Sequence, residues 1–545
     1  MKKRYNFLPE NWLRMSLAAA FVAFFSLNSF AQNGPAIMWQ KAFGGTNLDV
    51  LCETKQTSDG GFIIGGWSLS DISIDKSQNS KGFADYWIIK LDANGNKVWD
   101  KTLGGNGGDY LSSVKQTPDG GYILGGESGS GISGDKTQAC KGYEDYWIIK
   151  LDTNGNKIWD KTYGGINEEE IGVIEPTIDG GYIVGGQSNS GISGDKTEVN
   201  RGSGYDLWII KLDANGNKLW DKTLGSSSTD NFTCIQQTKD GGYILGGYSY
   251  SGISGDKTQA SRGGLDYWVI KLDANGNKLW DKTFGGSTNE VLASVQQTTD
   301  GGYIIGGGSG SGIGGDKSHA SHGCGDFWVL KLNATGNKIW DRTYGGSGCE
   351  GGGIIQIADG TYILSGPSDS GISIDKTQAS RGETDTWLLK LDSSGNKTWD
   401  KTLGGTEEDF MSVFQQTFDG GYIIGGSSDS PISGDKTQAP KGDRDFWVIK
   451  IGGNPLGIKE PETNFAISIS PNPNQGKFTL QLSNLTAPKA EVTVSDMLGR
   501  VVLQQELNVS NNQLSEELSL PHAKGMYLLQ VKAGEQLLTR KIVVE

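Results

Sequence analysis

The chain has 545 residues, of which 84 are glycine and five are cysteine, and its formal net charge is −14. Its length allows several domains, the acidic balance offers no basic patch for nucleic acid, and five scattered cysteines predict no disulfide framework. The glycines recur at fixed spacing, which predicts turns between strands rather than a disordered chain.

The N-terminus has the pattern of a secretory signal peptide over residues 1–31. Lys2, Lys3 and Arg4 form a charged start, an apolar run follows over 17–27, and Ala31 ends a small-residue cleavage motif. That run is too short to span a bilayer. No later apolar run is long enough either, so we expect no transmembrane segment in the mature chain.

A unit of about sixty residues then recurs along the chain, and two tryptophans mark it. The first tryptophan is found at Trp39, Trp99, Trp159, Trp220, Trp280, Trp340 and Trp399. The second is found at Trp87, Trp147, Trp208, Trp268, Trp328, Trp387 and Trp447. Such an array predicts supersecondary units that bury their apolar faces against their neighbours.

Each unit is expected to contain four antiparallel strands. Asp119-Gly120 separates the first two, and a long Gly/Ser loop leads to the third, Asp145–Leu151, whose side chains alternate between two apolar faces. Asn154-Gly155 predicts a type I′ turn into the fourth strand. Because the long 2–3 and 4–1 loops share one face of the array, we expect that face to be the working face.

The array begins and ends out of phase. Residues 36–45 form a fourth strand without the first three, and residues 413–450 supply three strands without a fourth. Joining them removes two exposed edges. The fold class is therefore all-β, with a seven-bladed β-propeller over 36–452 that is closed by an N-terminal strand. A linear β-solenoid is the alternative, but it would not need a split unit.

The C-terminal part has a different sequence pattern from the repeats. Residues 453–463 contain two prolines and several charges and predict a linker. Residues 464–545 contain seven short alternating segments, which predict a small Ig-like β-sandwich.

Several motifs in this part carry a specific resemblance. They are Ser470-Pro471-Asn472-Pro473, Gly476-Lys477-Phe478, Asp496 with Leu498-Gly499-Arg500, Gly525-Met526-Tyr527 and Arg540-Lys541-Ile542-Val543-Val544. In this order the segment resembles the type A C-terminal sorting domain of type IX (Por) secretion substrates. The resemblance implies a Gram-negative bacterium, recognition by the type IX secretion machinery, passage across the outer membrane, and a final location on the cell surface or outside the cell.

One acidic position recurs at the entry to the first strand of every unit. Its residues are Asp49, Asp109, Glu169, Asp230, Glu290, Glu350 and Asp409. In a propeller they would form a ring at the channel entry, which could hold a cation or a cationic ligand. We favour a structural role in which each carboxylate binds backbone N–H groups, because a feature that all units share is more often what makes a unit.

The same structural interpretation applies to an aspartate that begins the third strand, and to loop pairs such as Asp135-Lys136 and Asp435-Lys436. The third-strand residues are Asp85, Asp145, Asp206, Asp266, Asp326, Asp385 and Asp445.

The fifth unit departs from the others in one loop. His319, His322 and Cys324 lie close in sequence, and Cys349 follows in the next inter-unit loop. These donor types suit zinc or another thiophilic metal. The alternatives are neutral drift or a Cys324–Cys349 disulfide. No other cofactor is expected, and no residues are assigned a catalytic role.

The leading hypothesis is a secreted or cell-surface protein that binds a glycan or a protein. An extracellular glycan-degrading enzyme is the first alternative, and it would need a pair of unit-specific carboxylates, for which Glu127, Glu168, Glu383 and Glu407 are candidates. A structural role in a surface layer, or as an adhesin, is the second alternative.

Overall fold

The computed structural model of the protein describes residues 34–452, 466–471, 474–496, 501–520, 525–534 and 536–544. Within these ranges all the regular secondary-structure elements are β-strands. The described residues contain no helix long and apolar enough to cross a membrane. The chain divides into two compact units, Met1–Gly453 and Asn454–Glu545. The expected signal peptide over 1–31 and linker over 453–463 lie outside the described residues.

The first unit contains seven four-stranded antiparallel sheets. The chain opens with β1 (Ile37–Phe43). Sheets 1 to 3 contain β2 (Asp49–Gln56), β3 (Phe62–Ser68), β4 (Asp85–Leu91), β5 (Lys97–Leu103); β6 (Asp109–Gln116), β7 (Tyr122–Ser128), β8 (Asp145–Leu151), β9 (Lys157–Tyr163); and β10 (Glu169–Pro176), β11 (Tyr182–Ser188), β12 (Asp206–Leu212), β13 (Lys218–Leu224).

Sheets 4 to 7 repeat this order. They contain β14 (Asp230–Gln237), β15 (Tyr243–Ser249), β16 (Asp266–Leu272), β17 (Lys278–Phe284); β18 (Glu290–Gln297), β19 (Tyr303–Ser309), β20 (Asp326–Leu332), β21 (Lys338–Tyr344); β22 (Gly353–Gln356), β23 (Tyr362–Ser368), β24 (Asp385–Leu391), β25 (Lys397–Leu403); and β26 (Asp409–Gln416), β27 (Tyr422–Ser428), β28 (Asp445–Ile451) with β1. These repeated sheets are those of a propeller-like fold.

The third strand of each sheet is buried on both faces, and this arrangement makes the core. In β8, Trp147, Ile149 and Leu151 pack with residues of sheet 1, while Tyr146 and Ile148 pack with residues of sheet 3. The alternation predicted for this strand is therefore confirmed. Each sheet fills the space between its two neighbours, so no sheet is stable by its own contacts alone.

The last sheet closes on the first. β1 pairs antiparallel with β28, from Ile37 opposite Ile451 to Phe43 opposite Phe446. One apolar cluster joins Leu51 and Trp87 of sheet 1 to Val448 of sheet 7. The first strands contact one another from β2 through β6, β10, β14 and β18 to β22, and β26 contacts β2. These strands therefore line the inside of a closed ring.

The predicted type I′ turn at Asn154-Gly155 is wrong in its geometry. Among the described residues of this turn, φ is positive only at Gly155, at 77°. The N–H of Gly155 donates to the carbonyl of Asp152 at 3.2 Å, and Asp152 Oδ1 accepts the N–H groups of Asn154 and Asn156 at 2.8 Å. The aspartate side chain holds the loop in a type I turn followed by a left-handed glycine, and this removes the need for a positive φ at Asn154.

The second unit contains two antiparallel sheets, β29-β30-β33 and β32-β31-β34-β35. Their strands are β29 (Ala466–Ser470), β30 (Lys477–Ser483), β31 (Lys489–Asp496), β32 (Val501–Asn508), β33 (Gln513–Ser519), β34 (Gly525–Ala533) and β35 (Gln536–Val544). Phe478 and Leu480 of the first sheet share one core with Val492, Leu529 and Ile542 of the second.

Candidate functional site

The seven carboxylates expected at the channel entry are buried, with at most 5% of any of these residues exposed. Each accepts a hydrogen bond from the backbone N–H four residues earlier, as Asp109 does from Gly105 at 2.7 Å and Glu290 from Gly286 at 2.7 Å. Serine hydroxyls add further bonds, such as that from Ser130 to Asp109 at 2.9 Å. These bonds tie each inter-sheet loop to the strand that follows it.

The recurring third-strand aspartates lie beside these carboxylates, across each contact between sheets. The N–H of Asp109 in sheet 2 donates to the carbonyl of Ala84, the residue before Asp85 in sheet 1, at 2.7 Å. Burial is the main cause that raises the pKa of Asp145 to about 6, and the charge of Glu169 adds to it. The structure thus brings the two recurring acidic sets together in pairs.

The two cysteines of the expected metal loop form a disulfide. Cys324, before β20, is bonded to Cys349, before β22, so the bond joins sheets 5 and 6. The side chains of His319 and His322 are exposed on the same loop. Among the side chains that the structure describes, no group of three or more His, Cys, Asp or Glu is placed to hold a metal ion. In this oxidised form both sulfurs are bonded to each other, and the zinc hypothesis stays a prediction for the reduced protein.

His322 occupies a position that carries Lys or Arg in the other six sheets. These cations pair with a loop aspartate of the next sheet, as Arg262 does with Asp316 at 2.7 Å and Arg201 with Asp256 at 2.9 Å. The corresponding aspartate beyond His322 is Asp375, and no ion pair between these two described residues is formed within 4.0 Å. Burial raises the pKa of Asp375, and the charge of His322 lowers it.

We therefore expect His322→Arg to stabilise the protein, because a guanidinium can reach Asp375 as Arg262 reaches Asp316. The gain is expected to be about 0.2–1 kcal/mol, the range of partly exposed ion pairs. Urea denaturation would measure it. His319→Arg is the control, since His319 is exposed and its imidazole bonds the neighbouring Ser318 hydroxyl at 2.8 Å. Equal stability of the two variants would contradict this interpretation of position 322.

A second cluster was not singled out as a site by the sequence, although Glu127 and Glu168 belong to it. It lies on sheets 1 to 3. There the residue before the final serine of the second strand differs between repeats, while the Gly-Gly pair and the serine around it are the same. We call it the acidic–aromatic patch. Its residues are Trp67, Tyr110, Glu127, Glu144, Glu168, Glu170, Gln187 and Tyr205, and all are half-buried.

Direct contacts connect the patch. The rings of Trp67 and Tyr110 meet edge to face, with 5.3 Å between centroids. Tyr110 lies opposite Glu127 in the β6–β7 register. Gln187 donates to Glu170 at 2.7 Å.

Glu144, which directly precedes the third strand of sheet 2, connects this sheet to sheet 3. The backbone of Glu144 is bridged to that of Glu168 in the next sheet, and Tyr205 donates to Glu168 at 2.5 Å. Side chains from three sheets therefore lie near one another beside the inner strands, and the charges of Glu144 and Glu170 act on Glu127.

Two glutamates of the half-buried patch have raised pKa values. Burial, followed by the charges of Glu144 and Glu170, raises the pKa of Glu127 to about 8. Burial, followed by Glu168 and Glu170, also raises the pKa of Glu144. Four glutamates thus share a site in which a protonated carboxyl can donate a hydrogen bond at neutral pH.

Other sheets of the ring differ from the patch at the same positions. Val291 and Gly308 face each other in sheet 5. Near sheet 7, Arg444 bonds Asp429 and pairs with Glu408 at 3.0 Å, so its charges are satisfied within the protein. Glu383 and Glu407, the other carboxylates proposed from sequence, are exposed and lie outside the patch.

Comparison with known proteins gives a family for the second unit. Residues 468–545 match the family of the secretion system C-terminal sorting domain. This tail indicates export through type IX secretion to the cell surface or the extracellular space. It also implies that the secretion machinery recognises the second unit.

One curated protein shows a more distant similarity to the chain. The chain is 23% identical over 217 residues to Regulatory protein FlaEY of Caulobacter vibrioides, and the aligned part covers 37% of this chain and 22% of that protein. The chain thus spans about a fifth of that relative's length.

Solved structures show a weak likeness. Puromycin hydrolase aligns with a TM-score of 0.42 and 12% identity, over 84% of this chain and 62% of that chain. A mutant of Synechocystis apocarotenoid oxygenase aligns with a TM-score of 0.33 and 13% identity, over 78% of this chain and 95% of that chain. Similarity at this level carries no argument about activity.

Proposed function

We propose that this is a secreted or cell-surface glycan-binding protein whose ligand docks on the acidic–aromatic patch of a seven-bladed β-propeller. Export by the type IX route places such a surface outside the cell. An N-terminal signal peptide over 1–31 would serve the inner-membrane step, and an Ig-like second unit would serve the outer-membrane step.

The propeller assignment is supported by the ring of sheets. Seven four-stranded sheets follow one another, and the N–H of Asp49 donates to the carbonyl of Arg444 at 2.9 Å, in the same way that Asp109 contacts Ala84. The contact between the last sheet and the first is thus of the same kind as the others. β1 supplies the outer strand that sheet 7 would otherwise lack.

The observation that carries the binding proposal is the variation between repeats at one structural position. Six of the seven second strands share a Gly-Gly pair, which is Ser365-Gly366 in sheet 6, and all seven end in serine, but the residue before that serine changes from sheet to sheet. In chain order it is Trp67, Glu127, Gln187, Tyr248, Gly308, Pro367 and Ser427. A side chain needed to build a sheet would be the same in each, so this position can vary and serve recognition on a rigid scaffold, although Gln187 and Ser427 also accept backbone N–H groups of the next sheet.

The chemistry of the patch suits a sugar ring. The edge-to-face Trp67–Tyr110 pair offers an apolar face with polar tips, while carboxylates and the Gln187 amide can bind hydroxyl groups from several directions. Its acidity disfavours anionic glycans, so a neutral or amino sugar is the expected ligand. A protein that presents Lys or Arg to the glutamates is the alternative binding partner.

A second candidate function is glycan hydrolysis, and Glu127 is the residue that favours it. A carboxyl that holds its proton at neutral pH, beside Glu144 and Glu170, resembles the acid of an acid–base pair. In that case Glu127 would protonate the leaving oxygen, and an ionised glutamate nearby would act as base or nucleophile.

The test is a glycan array combined with a turnover screen, both performed on the mature full-length protein. Saturable binding of neutral or amino glycans without new reducing ends supports the binding role. Product formation that disappears in Glu127→Gln, while binding remains, would replace it with the hydrolase. If no glycan binds and a basic peptide does, the partner is a protein.

A further inference from the structure

Each contact between neighbouring sheets buries two carboxyl groups side by side. A backbone bond fixes this arrangement all around the ring, because the first-strand acid donates its N–H to the residue before the third-strand aspartate. The donor–acceptor pairs are Asp109–Ala84, Glu169–Glu144, Asp230–Tyr205, Glu290–Leu265, Glu350–Gly325, Asp409–Thr384 and Asp49–Arg444, at 2.6–2.9 Å. All fourteen acids are at most 5% exposed.

In the pair between sheets 2 and 3, the two side chains reach the same small volume. A Cβ placed on Gly164 would lie 2.2 Å from Oδ1 of Asp145 and 2.7 Å from Oε2 of Glu169, so both carboxylates converge on one small volume. In three of the pairs both members have a buried Oδ1 without any hydrogen-bond donor. These pairs are Asp85 with Asp109, Asp385 with Asp409, and Asp445 with Asp49.

A carboxylate oxygen that is buried without a donor is costly, and two negative charges buried in one contact repel. One proton held between the two groups removes both costs, because it turns one acid into a donor for the other. In the three Asp–Asp pairs, backbone N–H groups bond the other carboxylate oxygens, as Gly105 bonds Asp109, and the Oδ1 atoms have no partner among the described residues.

Buried lysines give a second reason to expect one proton between the two acids of each contact. One lysine lies between the two acids of each sheet, and all are at most 2% exposed: Lys76, Lys136, Lys196, Lys257, Lys317, Lys376 and Lys436. In sheet 5, Lys317 bonds Ser309 at 2.9 Å, and Ser309 donates to Glu290 at 2.8 Å. Each sheet contributes two buried acids and one buried lysine, which gives fourteen acids and seven lysines around the ring. One shared proton per pair makes this buried ring neutral.

We propose that each of the seven contacts between sheets holds one proton shared by its carboxyl pair, so that the closed ring is a proton-bound assembly that loosens when these protons are lost. The fully ionised ring would carry seven uncompensated buried negative charges. Repulsion would act across every contact between sheets at once, including the contact that closes the ring.

The pair Asp85–Asp109 shows which charged and hydrogen-bonding groups face the two acids. Asp85 faces the N–H of Lys81, the ammonium of Lys76 and Asp109. Asp109 accepts bonds from the Gly105 N–H and the Ser130 hydroxyl. Lys136 of its own sheet and Tyr86 of the preceding sheet also face it.

The titration of the third-strand acids agrees with this geometry. Burial, opposed by a backbone N–H and then reinforced by the partner acid, raises the pKa of Asp206 to about 6. Burial raises the pKa of Asp85 in the same direction. The folded ring therefore binds more protons than the unfolded chain between about pH 4 and pH 6, and the free energy of unfolding falls as the pH rises through this window.

The experiment compares the pH dependence of urea unfolding in the full-length mature protein and in Asp85→Asn. The Asn amide can donate to Asp109 permanently, so this variant imitates the protonated pair. We expect its unfolding constant to change with pH about tenfold less per pH unit than that of the unmodified protein, which corresponds to one proton. An unchanged pH slope would overturn the proposal.

Asp100→Asn is the matched control in the same sheet. Burial raises the pKa of Asp100, but bonds from the Ser77 N–H, Lys97 and the Trp87 indole outweigh it and lower that pKa. This variant is not expected to flatten the slope between pH 4 and pH 6.

An infrared spectrum of the folded protein covers the case in which Asp85→Asn does not fold. It would be recorded in a Glu127→Gln/Glu144→Gln background, which removes the two patch carboxyls whose pKa is raised. A protonated-carboxyl band that remains at pH 6, where ordinary carboxyls are ionised, and fades as the pH rises further while the strands persist supports the proposal. A folded protein with no such band at pH 6 contradicts it.

Discussion

A mature chain that lacks residues 34–43 is expected to lose its closed ring. β1 is the outer strand of sheet 7, and without it β28 becomes an open edge beside Trp447. The deletion also removes Phe43, which is 6% exposed, from the cluster that joins sheets 7 and 1. Removing one buried aromatic side chain costs about 3–5 kcal/mol, so the loss of the strand is expected to exceed ~5 kcal/mol and to leave the chain unfolded or aggregated.

Size-exclusion chromatography and thermal unfolding would measure this effect. A chain that begins at Gly34 is the control and should behave as the mature protein does. A synthetic peptide with the sequence of residues 34–46, added in trans, should restore a monomeric, cooperatively unfolding protein. If the truncated chain melts like its control, sheet 7 does not depend on β1 and the closure described here is wrong.

Reducing the Cys324–Cys349 disulfide is expected to destabilise the protein by about 3 kcal/mol, the value for a loop of this size. The bond spans a sequence separation of 25 residues. It lies at the contact between sheets 5 and 6, where β22 has four residues in place of the eight of β18. Gly352 stands where Leu292 is buried in the preceding sheet, and glycine offers nothing to pack.

Unfolding in urea with and without a reductant would test this, with Cys324→Ser/Cys349→Ser as the permanently reduced form. Hydrogen exchange should then increase first in β22 and in the loop before β20. Cys140→Ser provides the control, since Cys140 is a free cysteine and its loss breaks no covalent bond. Equal stability with and without the bond would show that the contact does not need it.

Much of the fold can be predicted from sequence because the repeat itself carries the information. Apolar alternation and a Trp in every third strand locate strands such as β8 to the residue. The phase difference between the chain ends indicates that β1 pairs with β28. The turn after β8 was mispredicted because Asp152, outside the Asn-Gly pair, sets its geometry through its side chain.

The sites were harder to predict, because they form between sheets. In the sequence, Asp85 and Asp109 each resemble an aspartate that stabilises a local turn. They form a pair only because two sheets pack against each other. The patch joins Trp67, Tyr110 and Glu170, which lie more than forty residues apart and share only a register position. The signal that could have found it is the difference between repeats at the residue before the final serine of each second strand.

The central claim is that the acidic–aromatic patch binds the ligand, and calorimetric titration of one array-selected glycan tests it most directly. Tyr110→Ala and Glu127→Ala are expected to weaken binding by at least about tenfold, because each removes a contact worth ~1.4 kcal/mol or more. Val291→Ala, at the position in sheet 5 that corresponds to Tyr110, should bind as the unmodified protein does. Undiminished affinity in both patch variants would contradict the claim and place the ligand elsewhere on the ring.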